Sequence, residues 1–99
     1  MSAYRISYSS EAIEQLEYHS NWYDSQEHNL WDQFLKSIWK TLSNISALPF
    51  WYKVTIPPFR EAPVKKFPFC ITYEVKPDNV IIILAIFHTK QHPDTKLPS

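Results

Sequence analysis

The chain opens with an alternating pattern of apolar and polar residues. In AYRISYS (3–9), aromatic or aliphatic residues alternate with polar ones, which is the two-residue period of a half-buried strand. Ser9 or Ser10 follows, and either hydroxyl can cap a helix. Glu11 and Glu14 then fall near the helix N-terminus, where the helix dipole favours carboxylates. This stretch therefore predicts a strand that leads directly into a helix.

Two stretches with helical spacing come next. On the first, one helix face consists of Ala12, Ile13, Leu16, His19 and Tyr23. All of these except His19 are apolar or aromatic. The second carries its face at Trp31, Phe34, Leu35, Ile38, Trp39, Leu42 and Ile45. SQEHNL interrupts the pattern between them, so Asn29 is predicted to be the second N-cap, and Pro49 stops the second helix. The pattern predicts an antiparallel helical hairpin that covers an apolar surface.

The second half of the chain has the patterns of strands. PFWYKVTIPPF (49–59) is rich in aromatic residues and Pro and predicts an irregular connection. FREAPV (59–64) predicts a short strand, and the alternation in FPFCITYEV (67–75) predicts a longer one. VIIILAIF (80–87) is apolar throughout, which predicts a strand buried on both faces and hence flanked by other strands.

The turn before the last strand completes the predicted fold. KPDN (76–79) supplies turn residues, and Asn79 can take a left-handed backbone conformation in a chain that contains no Gly. The predicted order is β-α-α-β-β-β. This is an α+β fold in which a helical hairpin packs on one face of a mainly antiparallel sheet.

Length and composition indicate one globular domain. The 99 residues are 44% hydrophobic and 16% aromatic, so we expect a folded domain over 1–99 with a frayed tail from 94. The lone Cys70 excludes an internal disulfide and a cysteine-based zinc site. We see no signal peptide, and the longest apolar run, 80–87, is too short to span a bilayer as a helix. These features predict a cytoplasmic protein without a membrane partner.

Charge is balanced overall but unevenly distributed. Residues 1–50 contain three Lys or Arg against six Asp or Glu, a net charge of −3, and residues 51–99 contain seven against four, a net charge of +3. The basic half fits an anionic partner, whereas an ordinary solvated surface has the same pattern. The net charge of zero is lower than that of most non-specific nucleic-acid binders.

Four segments together cover nearly the whole chain: YRISYSSEAIEQL, NWYDSQ, KKFPFCITYEV and VIIILAIFHTKQHP. In this order they resemble the RelE/ParE superfamily of bacterial type II toxin–antitoxin toxins. The chain looks most like the ParE-like plasmid stabilisation branch. It departs from the family in lacking the usual Gly between the helices, where His28 and Asn29 stand instead.

The resemblance implies two different activities. RelE-like members are endoribonucleases that cut messenger RNA on the ribosome, whereas ParE-like members poison DNA gyrase by protein contact. It also implies a cognate antitoxin, a small and partly disordered protein whose segment folds on the toxin. A third hypothesis is a non-toxic orphan module that binds proteins. The oligomeric state stays open.

For RNA cleavage the candidate residues are Arg60, His88, Lys65, Lys66 and Lys90. Cleavage without a metal needs a base, an acid and cations around the phosphate. His88 can exchange a proton near neutral pH, and Arg60 resembles the strand arginine that family nucleases direct at the scissile phosphate. The three lysines are candidate substrate-binding residues.

Each of these residues also has a structural interpretation. Arg60 can pair with Glu61 or Glu74, the lysines can solvate the entrance of a strand, and His88 can cap the edge of the sheet. ParE-like members without nuclease activity also have a histidine at the end of this strand, so His88 does not separate the two activities.

A protein-binding role has candidates of its own. Trp51 and Tyr52 lie in the predicted irregular connection, where exposed aromatic side chains suit a protein partner.

A metal site at the end of the last strand is not predicted. His88 and His92 are four residues apart, which on an extended strand separates them by roughly 13 Å. Pro93 argues against a helix that would bring them together, and no carboxylate is placed as a third ligand. We predict no metal and no cofactor.

Overall fold

The computed structural model describes residues 4–90, except for the side chain of His28. Its elements are β1 (Arg5–Tyr8), α1 (Ser10–Gln26), α2 (His28–Ala47), β2 (Val54–Ile56), β3 (Phe59–Pro63), β4 (Phe69–Lys76) and β5 (Val80–His88). The two helices form a hairpin on one sheet, so the predicted fold class is confirmed. The predicted frayed tail lies outside the described residues.

The five strands form one mixed sheet in the order β1-β5-β4-β3-β2. β1 runs parallel to β5, and all other neighbours are antiparallel. β5 therefore has a strand on each side, as its continuous apolar run predicted. The edges of the sheet are β1 and the three-residue strand β2.

Ser9 joins β1, α1 and β5. Its Oγ accepts a hydrogen bond from the Ala12 amide at 3.0 Å, which confirms a serine N-cap, and donates to the Leu84 carbonyl at 3.0 Å. Leu84 is the extra residue of a bulge in β5, because Ile83 and Ala85 pair with consecutive residues of β4. The bulge leaves the Leu84 carbonyl without a partner in the strand ladder. The Ser9 hydroxyl, which caps α1, supplies its hydrogen bond.

The core lies between the two helices of the hairpin and the side of the sheet that faces them. Its fully buried members include Phe34, Ile38, Ile45, Ile71, Tyr73, Ile81, Ile83 and Ile86. Two residues predicted on the covering faces are exposed instead, Ile13 on α1 and Trp39 on α2. Both lie about 100° around the helix from a fully buried neighbour, Ala12 or Ile38, which turns them to the edge of the covering stripe.

The prediction that Asn29 caps the second helix was wrong. α2 begins at His28, and Glu27 is its N-cap, with an extended backbone (φ −162°, ψ 124°) and no side-chain hydrogen bond at the cap. The Glu27 amide donates to the Tyr23 carbonyl at 3.0 Å, closing the end of α1. One extended residue thus separates the helices, so the turn needs no glycine or left-handed residue.

The segment predicted to be irregular contains a strand. β2 pairs with β3 through Val54 opposite Arg60 and Ile56 opposite Phe59. All three of its residues are exposed, and the alternation of Val54, Thr55 and Ile56 is shorter than the four to eight residues that predict a strand. The turn before β5 matches its prediction, since Asn79 is left-handed (φ 59°), as is Asp78 (φ 65°).

Candidate functional site

Arg60 fixes the backbone that follows α2. Its Nη1 donates hydrogen bonds to the carbonyl of Tyr52 at 2.7 Å and to that of Phe50 at 3.2 Å. The guanidinium carbon also lies 5.2 Å from the centre of the Phe50 ring, within the range of a cation–π contact. The Nη1 group of the guanidinium that was a candidate for binding a phosphate thus donates to two backbone carbonyls instead.

We call residues 48–56 the apolar segment, because large apolar side chains stand exposed along it. They are Leu48, Phe50, Trp51, Val54 and Ile56, of which Trp51 is 63% exposed. Trp51 stacks on Tyr52 with ring centres 6.2 Å apart and planes 26° apart. The two aromatic residues predicted to bind a partner thus lie side by side, with Trp51 exposed and Tyr52 half-buried.

Tyr73 is the second anchor of the apolar segment. Its side chain is fully buried, and its hydroxyl donates a hydrogen bond to the Pro49 carbonyl at 2.6 Å. Burial raises the pKa of Tyr73 to about 12, although the charge of Arg60 acts in the opposite direction. The phenol therefore stays protonated, and stays a donor, throughout the neutral range.

A groove of about 450 Å³ lies between α2 and the connection from β3 to β4; we call it the lysine groove. Its lining residues are Lys36, Ser37, Lys40, Thr41, Asn44, Tyr52, Pro63, Val64, Lys65 and Lys66. The predicted residues Lys65 and Lys66 thus lie opposite two lysines of α2. The structure also brings them together with Tyr52 of the apolar segment.

His88 lies in a second and smaller pocket of about 190 Å³, the histidine pocket, lined by Tyr18, His19, Trp22, Tyr23, Phe69 and His88. The rings of His19 and His88 both contact Phe69, with centre distances of 4.6 and 5.1 Å. Burial, and then the positive charge of His88, lower the pKa of His19 below its ordinary value. Lys90 is exposed and donates its backbone amide to Nδ1 of His88 at 3.1 Å.

The structure does not bring the two candidate catalytic residues together. Arg60 pairs with Tyr73 across β3 and β4, and His88 pairs with Phe69 across β4 and β5. The two Cα atoms are therefore two strand spacings apart across the sheet and four residues apart along it, a separation of about 16 Å. This separation, together with the hydrogen bonds from Arg60 to the carbonyls of residues 50 and 52, does not place the two side chains around one phosphodiester.

Sequence reasoning missed part of each pocket. Lys36 and Lys40 had a usable signal, since their i, i+4 spacing places two lysines on one helix face. His19 had none, because only the packing of α1 on β5 places it near His88.

The predicted absence of a metal site stays a prediction. His92 lies outside the described residues, and within 4–90 no three His, Cys, Asp or Glu side chains are grouped to hold an ion. In the same part of the chain neither helix is long and apolar enough to cross a membrane.

A helical hairpin on a mixed sheet, with a run of exposed apolar side chains and a lysine-lined groove, defines a small α+β protein. The family model of the ParE toxin of type II toxin–antitoxin systems (parDE) matches residues 6–93, so the chain belongs to the ParE toxin family. The resemblance stated above is thereby confirmed.

A chain of the chromosomal ParDE toxin–antitoxin system from P. aeruginosa has the same fold. The two superpose with a TM-score of 0.77 at 15% sequence identity, over 89% of this chain and 98% of that one. No protein of curated function matches the chain.

Proposed function

We propose that this ParE-family chain is a cytoplasmic toxin that arrests growth by binding an essential protein, DNA gyrase being the first candidate, and that a cognate antitoxin neutralises it. The observation that carries the proposal is the apolar segment. It exposes five large apolar side chains within nine residues, and apolar patches of this kind mark protein interaction sites.

The anchoring of the apolar segment supports a role in tight binding. Arg60 and Tyr73 hold the carbonyls of residues 49, 50 and 52, so little backbone freedom remains to be lost on association. An aromatic side chain presented on a fixed backbone is the usual form of a binding hot spot. Arg60 is then a positioning residue for Phe50 and Trp51.

The RelE-like alternative, a ribosome-dependent messenger RNA endoribonuclease, has less support. The Cα atoms of His88 and Arg60 lie about 16 Å apart. The candidate cations Lys65 and Lys66 line a different pocket from His88. A non-toxic orphan module would keep the apolar segment but not arrest growth.

Controlled expression in a bacterial host tests the proposal. We expect growth arrest with the wild-type chain, loss of arrest with Trp51→Ala, and full arrest with His88→Ala. Trp39→Ala is the matched control, because it removes another exposed tryptophan from a different surface.

The readouts separate the alternatives. Arrest that disappears with His88→Ala and is accompanied by cut transcripts would support the nuclease. No arrest with the wild-type chain, at a confirmed level of folded protein, would support the orphan module.

A further inference from the structure

We infer that the lysine groove binds an acidic, amphipathic segment of a protein partner, with its carboxylates against the lysines and its apolar side chains on Tyr52 and Val64. The inference rests on the proposed function, because the antitoxin is the partner in question, and it assigns the surface and the chemistry of that contact.

The charges of the groove are arranged in two facing rows. Lys36 and Lys40 are one turn apart on α2, and Lys65 and Lys66 lie on the opposite wall. Lys36 forms an exposed ion pair with Asp32 at 3.1 Å. Within residues 4–90 the other three lysines of the groove, Lys40, Lys65 and Lys66, have no ion pair. A bound segment with carboxylates on both of its sides would neutralise both rows.

The floor of the groove is apolar. Val64 is buried, and Tyr52 and Pro63 extend the apolar surface beside it. This combination of apolar floor and cationic rim matches an amphipathic peptide, which buries apolar side chains and keeps its carboxylates at the rim. A volume of about 450 Å³ holds a few side chains, which is enough for about one helical turn.

Nucleic acid matches the groove less well. Single strands are held by successive aromatic rings along a basic track, whereas Tyr52 is the only aromatic residue in the lining. The chain also carries no net positive charge, and phosphate contacts supply most of the affinity for nucleic acid.

The groove can be tested on the whole chain with a synthetic helical peptide in which Leu and Glu alternate at i, i+3 and i+4 spacing. Backbone amide NMR shifts, followed during titration, locate the binding surface and give a Kd. Two comparison ligands are the same peptide with Gln for every Glu and a single-stranded RNA of similar length. The groove variant is Lys65→Glu/Lys66→Glu, and the control is Arg5→Glu/Lys76→Glu, with the same charge change outside both the groove and the apolar segment.

We expect the Glu peptide to shift amides of residues 36–44 and 63–66, and to bind at least ten times more tightly than the Gln peptide. The groove variant should lose at least tenfold in affinity, and the control variant less than threefold. Equal affinity for the two peptides, shifts confined to another surface, tighter binding of the RNA in the groove, or no binding at about 1 mM peptide would each overturn the inference.

The same proteins distinguish failure of the inference from failure of the proposed function. If the wild-type chain arrests growth but the groove variant binds the Glu peptide as tightly as the control does, only the groove assignment fails. If the peptide binds in the groove but the chain never arrests growth, the toxin proposal fails and the groove assignment stands.

Discussion

At the residue scale, two polar side chains form hydrogen bonds that the surrounding apolar side chains cannot form. Tyr73 and Arg60 lie opposite each other on neighbouring strands. Each donates to backbone carbonyls just after α2. These carbonyls belong to no helix or strand, so the two side chains supply the hydrogen bonds that secondary structure does not. The exposed Phe50 and Trp51 depend on this support for their position.

Replacing Tyr73 with Phe tests one of these anchors. The change leaves the buried carbonyl of Pro49 without its donor, so we expect a loss of about 1–3 kcal/mol in the free energy of unfolding at pH 8. Urea unfolding measures it.

The pH dependence gives this prediction a second check. The raised pKa of Tyr73, about 12 against an ordinary 10.0, means that the folded state favours the neutral phenol. Its contribution is complete below pH 10 and is lost as the pH rises towards 12. The stability difference between wild type and Tyr73→Phe should therefore shrink from pH 9 to pH 11. A difference that stayed constant would argue against a buried, hydrogen-bonded phenol.

His19 gives a prediction at acidic pH. Because burial and the charge of His88 lower its pKa from 6.5, the unfolded state binds the proton more readily than the folded state. Stability should thus fall as the pH drops through 6.5, and His19→Gln should remove that part of the dependence.

NMR titration of the ring protons tests the cause directly. His88→Gln should raise the pKa of His19, since it removes the nearby positive charge. An unchanged His19 titration in this variant would mean that the two rings do not interact.

At the element scale, α2 is held by one narrow stripe of side chains. Ile38 is fully buried, whereas its neighbour Trp39 is 53% exposed. Ile38→Ala should cost about 2–5 kcal/mol, because it leaves a cavity in the core. Trp39→Ala should cost about 1 kcal/mol or less, although it removes the larger side chain. Chemical denaturation of the two variants measures the difference, and equal losses would contradict the packing of α2 described above.

The elements that the sequence predicted well are those with a strong periodic signal or a cap. A serine cap at position 9 or 10 was predicted because a hydroxyl directly before a helical stripe commonly caps the helix, and Ser9 is that cap. β5 was predicted because a run of eight apolar residues needs cover on both faces. Asn29 was misassigned, because a cap can also be a single extended residue whose side chain makes no bond, as at Glu27. β2 was missed, since its alternation of apolar and polar residues covers only three positions, which is too short to predict a strand.

At the scale of the whole molecule, the apolar segment and the lysine groove share Tyr52. Its ring stacks under Trp51 and also lines the groove. A partner segment in the groove would therefore lie beside the surface proposed to bind the target. If the proposed function holds, an antitoxin segment in the groove would cover part of the proposed target surface, and its removal would expose that surface.

The candidate site was less predictable than the fold. Residue types indicated that Trp51, Tyr52, Lys65 and Lys66 face a partner or substrate, but not which of them share a surface. The grouping depends on how α2 crosses the sheet, and the alternation of side chains along each strand does not contain that information. For the same reason, the separation of Arg60 from His88 emerged only from the strand register.

The central claim is that this ParE-family chain acts by binding a protein target through the apolar segment, with DNA gyrase as the first candidate. The most direct test is a supercoiling assay with purified gyrase and purified wild-type chain, beside the Trp51→Ala and Trp39→Ala variants. We predict that the wild type and Trp39→Ala inhibit supercoiling, and that Trp51→Ala inhibits it at least tenfold more weakly. Undiminished supercoiling with folded wild-type chain, together with transcripts cut during expression, would contradict the claim.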